Sequence, residues 1–154
     1  MATVDIDTFD ALKDLKGRPL PKGRWIKVTQ DMVDAFARAT LDHQWIHTDT
    51  DRARRESPFG GPVAHGFLSL SLVSYMIGDL VNLKSMKMGV NYGVNRVRLP
   101  SPVPVGSRLR LNCRVGKVEA AEAGGLKVFW QCEVEIEHQS KPACVCELIS
   151  LIFE

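Results

Sequence analysis

The chain has 154 residues, of which 45% are hydrophobic and 25% charged, and its formal net charge is +2. That length and composition suit one folded domain with a sizeable core and exclude a disordered chain. Balanced charge without a block of like-charged residues gives no electrostatic reason to expect nucleic acid or an anionic membrane as partner.

The N-terminus, Met1-Ala-Thr-Val-Asp-Ile-Asp7, is acidic and lacks the apolar stretch of a secretory signal. Lys16–Gly23 is rich in glycine and proline and reads as an exposed entry loop. Residues 1–23 are therefore expected to be an N-terminal extension and loop on a single domain spanning 1–154. Arg24–Val28 reads as a short first strand. Thr29 then offers an N-cap with Asp31 in the first turn, and Val33, Phe36, Ala37, Thr40 and Leu41 recur at helical spacing. A helix over 30–41 with one buried face follows, and Asp42 falls just past its last turn. Asp49–Arg55 reads as another short helix whose Arg52, Arg54 and Arg55 form either a solvated face or a phosphate contact. Ser57-Pro-Phe-Gly-Gly-Pro62 must be irregular. From Gly66, apolar residues cover nearly every face through Val81, as in a buried helix. The serines and Asp79 within it leave the run short of a membrane span.

Strands dominate the rest. Leu109, Leu111, Cys113 and Val115 alternate with Arg108, Arg110, Asn112 and Arg114; Val128, Trp130, Cys132, Val134 and Ile136 alternate with polar residues; and Cys144–Phe153 is a mostly apolar strand. Alternation with period two marks antiparallel strands with one buried face, and Gly124-Gly125 marks the hairpin between the first two. The fold class is α+β, a curved antiparallel sheet wrapped around a long central helix. Cys113, Cys132, Cys144 and Cys146 lack metal-site spacing and lie inside apolar runs, so buried free thiols and a cytoplasmic location are expected.

The chemistry is concentrated at residues 42–66. Asp42 and His47, five residues apart, pair a carboxylate with an imidazole that gives and takes protons near pH 7. They converge only if the segment between them leaves the helix as a loop. Gly66 opens the buried helix. Its N–H has no partner within the helix, and the absent side chain lets a ligand carbonyl approach where the helix dipole favours negative charge. His65 reads as an orienting or a packed residue. The hydroxyl of Ser74 bonds back to the carbonyl four residues earlier or reaches a buried carboxylate such as Asp42. Trp45, Tyr92 and Trp130 read as packing. A metal held by Asp42, His43, His47 and Asp49 would need His43 and His47 on one helical face in a stretch that does not read as helix, so neither metal nor cofactor is expected.

Together these residues resemble the MaoC-like dehydratases of the hot-dog fold, the superfamily of (R)-specific enoyl-CoA hydratases, also called hydratase 2. Asp42-His-Gln-Trp-Ile-His47 and Ala64-His65-Gly66-Phe67 are similar to the family signature. Gln44-Trp45, standing where the family has Asn-Pro, and Asn91–Pro100 resemble the nodulation-protein-N-like subgroup. The resemblance covers roughly residues 20–153. It implies that Asp42 and His47 activate water, that Gly66 N–H polarises a thioester carbonyl, and that Ser74 holds the aspartate. His65, Gly66 and Phe67 would line the substrate. It implies reversible hydration of a trans-2-enoyl-CoA, or the acyl carrier protein thioester, to an (R)-3-hydroxyacyl thioester in fatty acid metabolism. It also implies a homodimer whose two sheets join into one. A hot-dog thioesterase and a non-catalytic acyl-thioester-binding subunit are the alternatives.

Overall fold

The computed structural model describes residues 3–154. The chain runs β1 (Val4–Ile6), α1 (Phe9–Lys13), β2 (Ile26–Lys27), α2 (Gln30–Thr40), α3 (Trp45–Thr48), α4 (Thr50–Glu56), α5 (Gly66–Leu80), β3 (Val81–Leu83), β4 (Met88–Arg98), β5 (Arg108–Ala120), β6 (Leu126–Ile136) and β7 (Cys144–Phe153). Five strands form one antiparallel sheet in the order β2-β5-β6-β7-β4. The sheet curls around α5 in the hot-dog arrangement.

Alternation along the strands sorts the two faces. Leu109, Leu111, Val115, Val128, Trp130, Val134 and Leu148 point inward and are buried with Leu68, Val73, Met76 and Leu80 of α5. On the opposite face Arg110 pairs with Glu135 and Arg108 with Glu137, ladders of opposite charge across neighbouring strands. All four cysteines are free and buried, with Cys113, Cys132 and Cys146 directly opposite one another across β5, β6 and β7.

α2 starts and stops as its residues dictate. The Thr29 hydroxyl accepts from Met32 N–H at 3.3 Å, and Val33 and Ala37 form the buried face. The helix ends at Leu41, whose φ of 62° lies in the left-handed region. That conformation is strained for a branched residue, and it swings the chain sharply off the helix axis just before Asp42.

Two expectations need correction, and one strand stands where none is expected. The N-terminal extension carries structure: β1 pairs in parallel with β3, and Ile6, Phe9 and Leu12 enter the core. A full-length strand, β4, stands at the sheet edge, in a stretch to which the sequence reading assigns no element. Finally, α5 is not covered all round. Phe67, Ser71, Tyr75 and Gly78, spaced along one side, are exposed, with Phe67 at 68%. No helix among the described residues is long and apolar enough to cross a membrane.

Candidate active site

Four pieces of chain converge at the N-terminal end of α5: the turn after α2, the single helical turn α3, the Ser57–Ala64 loop beyond α4, and α5 itself. His47 lies on α3 and is buried. Its Nδ1–H donates to the Val63 carbonyl at 2.6 Å, which leaves Nε2 as the unprotonated nitrogen of the neutral ring. Gln30 Nε2 donates to the His47 carbonyl at 2.8 Å and fixes α3 against α2. Burial pushes the His47 imidazolium down from its ordinary value, and neighbouring His65 adds to this, while the Val63 carbonyl and Asp42 pull the other way. The result is a neutral base at pH 7 with its free nitrogen in the site.

His65 acts as the clamp. Its ring stacks on His47 with centroids 3.9 Å apart, and its Nε2–H donates to the Asp42 backbone carbonyl at 2.9 Å. One side chain thus ties the turn carrying Asp42 to the residue that precedes Gly66. The Asp42 carboxylate is exposed at the mouth and accepts from Gln44 N–H at 3.4 Å. One donor atom from each of Asp42, His47 and His65 lies within 4.8 Å of the others.

Three donors so close raise the question of a metal. His47 Nδ1 and His65 Nε2 are already committed to backbone carbonyls, and the two rings stack with an interplanar angle of 27°. Each ring keeps one free nitrogen, and that of His65, Nδ1, is buried without a partner. His43 is exposed, and Asp49 caps α4 by accepting from Arg52 N–H at 3.0 Å; neither joins the cluster.

Gly66 begins α5 beside this cluster. A cavity of about 280 Å³ opens there, lined among others by His47, Gly66, Ser69, Phe59 and Leu99. A Cβ at Gly66 would collide with Leu99 Cδ1. Leu99 is itself exposed and could swing aside, so glycine here chiefly keeps the approach to its N–H open.

Gln44-Trp45 forms the start of α3. The Gln44 carbonyl accepts from His47 N–H at 3.0 Å, and Trp45 takes the first helical position, where a proline would also fit. Arg52 stacks on the Trp45 ring at 4.3 Å and bonds Glu56, while Arg54 pairs with Asp51. The arginine cluster behaves as a solvated helix face.

Two expected site residues lie elsewhere. Ser74, expected to hold Asp42, instead donates to Asn91 Oδ1 at 3.1 Å. Eight residues beyond Gly66, it faces β4 and lines a separate cavity of about 200 Å³ between α5 and the sheet. Phe67 points to solvent and does not line the cavity at Gly66. Conversely, among several α5 serines with the same local pattern, it is Ser69 that shares the Gly66 cavity. Its offset of three residues from Gly66, which puts both on one helical side, was the available signal.

Comparison with known proteins identifies the family and the fold. Residues 13–128 match the family described as MaoC like domain. The 3-hydroxyacyl-thioester dehydratase Z of Mycobacterium tuberculosis is 42% identical over 145 residues, covering 92% of this chain and 95% of that protein. Nodulation protein N of Rhizobium leguminosarum bv. viciae is 44% identical over 137 residues, covering 88% and 85%. The crystal structure of a MaoC-like dehydratase from Rhodospirillum rubrum superposes with a TM-score of 0.73 at 20% identity, covering 93% of this chain and 96% of that one.

Proposed function

This chain belongs to the MaoC-like domain family, and from that premise we propose that it is an (R)-specific enoyl-thioester hydratase acting reversibly on trans-2-enoyl-CoA. The observation that carries the reading is the buried neutral His47, its Nδ1 held by the Val63 carbonyl, with the Asp42 carboxylate beside it at the mouth of a helix opened by Gly66. The dehydratase name of the Mycobacterium tuberculosis relative supports the same class of chemistry.

In the hydration direction a water sits between the Asp42 carboxylate and His47 Nε2. These groups take one proton as the oxygen bonds to C3. The C2–C3 π electrons move into the C1–C2 bond, and the thioester oxygen gains negative charge. Gly66 N–H and the positive end of α5 hold that charge, a type of interaction worth about 3 kcal/mol. The proton then returns to C2, which leaves a 3-hydroxyacyl thioester and the site as it began. Dehydration is the reverse.

A homodimer is part of the proposal. β4 is an edge strand, and Met88, Val90, Tyr92 and Val94 along it are exposed, as are Phe67 and Tyr75 of α5. A second copy pairing along β4 would extend the sheet and cover both sets. Acyl-CoA or acyl carrier protein is the partner that presents the thioester.

The test is a series of trans-2-enoyl-CoA substrates from short to long, with loss of the enoyl absorbance, free thiol and product chirality all recorded. Hydration to the (R)-alcohol without thiol release is expected. Stoichiometric thiol release would favour a thioesterase, and binding without turnover a non-catalytic subunit.

A further inference from the structure

The cavity at Gly66 is walled mainly by apolar groups, among them Ile46, Val63, Leu99 and Val103. One polar side chain of α5 interrupts that wall. Ser69 is only 1% exposed and lines the cavity together with His47 and Gly66. The other serines around it have spent their hydroxyls. Ser71 donates to the Phe67 carbonyl at 2.8 Å, Ser74 to Asn91, and Ser101 to Gln139 at 3.1 Å. Ser69 makes no such bond back to the His65 carbonyl; that carbonyl instead receives the Leu68 and Ser69 backbone N–H groups. Ser69 thus puts a hydroxyl on an apolar cavity wall, where a ligand entering the cavity can bond it, while alanine would fill nearly the same space with no polar group.

Helix geometry aims this hydroxyl. Side chains of an α-helix lean toward its N-terminus, so the group at position 69 covers the turn opened by residue 66 rather than its own level. Gly66 lines the same cavity, and its N–H, at the start of the helix, has no intrahelical partner. We infer that Ser69 is a second oxyanion donor: its O–H and the Gly66 N–H together hold the thioester oxygen as it becomes enolate-like. This rests on the hydratase reading. It adds a side-chain hydroxyl to the single backbone donor of that mechanism, and the atoms balance unchanged because Ser69 donates a hydrogen bond and transfers no proton.

The test uses full-length parent, Ser69→Ala and Ser69→Thr with crotonyl-CoA. Ser69→Ala should lower kcat on the order of a hundredfold, as loss of one oxyanion donor does. KM should change little, and Tm should stay level or rise. Ser69→Thr, which keeps the hydroxyl, should recover most of the rate. The infrared carbonyl stretch of bound butyryl-CoA, which cannot be hydrated, should shift to higher frequency in Ser69→Ala because one donor is gone. Parental kcat in Ser69→Ala overturns the assignment. So does a rate loss that tracks a lower Tm with the carbonyl frequency unmoved, the mark of a packing role. A parent that hydrates no enoyl thioester removes the hydratase reading itself, whereas an active parent with an equally active Ser69→Ala removes only Ser69.

Discussion

The two ends of one helical stretch, Gly66 and Ser74 of α5, have opposite surroundings. At Gly66 two stacked histidines, a carboxylate and an unpaired helix N–H meet beside a cavity of about 280 Å³. At Ser74 the wall is largely apolar, with Ile77, Leu83, Val90, Trp130 and Leu148 around about 200 Å³, and the few polar groups there bond one another: Ser74 to Asn91, and Trp130 Nε1–H to Ser150. Both cavities are largely apolar, and the difference is that titratable groups gather only beside the one at Gly66. Burial depresses His47 at the first place, and no titratable side chain lines the second.

The largest effect that would sharpen this contrast comes from the base. His47→Gln keeps a side chain able to reach the Val63 carbonyl but removes the titrating nitrogen, and hydration should fall by roughly two to four orders of magnitude. Enoyl hydration assays beside far-ultraviolet circular dichroism would check it; near-parental activity would place the chemistry elsewhere. Next comes Gly66→Ala. Its new Cβ meets Leu99 Cδ1, so it should lose activity strongly, on the order of a hundredfold as the carbonyl is displaced from the N–H. Adding Leu99→Ala should recover part of that loss, and a double-mutant cycle reads the coupling. Strict additivity would mean that Leu99 does not crowd the site.

Ser74→Ala should act more gently and on a different parameter. With its hydroxyl bonded to Asn91 rather than Asp42, the change should raise KM for longer acyl chains a few-fold while leaving kcat near parental. A collapse of kcat for crotonyl-CoA would return Ser74 to the catalytic group. The smallest effect is on stability. His47 is held below its ordinary value of 6.5, so the unfolded chain binds that proton first as pH falls. Its contribution is fully present above about 6.5 and is lost progressively below it, toward the lower folded value. Denaturant midpoints measured downward from pH 7.5 should show this loss, reduced in His47→Gln.

Much of this was legible in the residues. The capped start of α2, the alternation of β5 and β6, and the buried thiols follow from short-range patterns that burial does not override. Asp42 and His47 were legible as a pair once a loop was allowed between them, and the left-handed Leu41 supplies that loop. β4 was hidden because Gly89, Gly93 and two asparagines dilute its pattern, and register shifts after Asn91 and Asn95 break its alternation. The partner of Ser74 could not be read because it depends on how α5 is rotated against a strand 17 residues away. The same dependence on helix rotation decides which of Ser69, Ser71 and Ser74 reaches the Gly66 cavity.

Hydration of crotonyl-CoA by Asp42→Asn beside the parent tests the central claim most directly. The exposed Asp42 side chain makes one weak backbone contact, so the variant should fold as the parent does while its turnover falls by orders of magnitude. A folded Asp42→Asn that hydrates crotonyl-CoA as fast as the parent would contradict the assignment of residues 42–47 as the source of the reacting water.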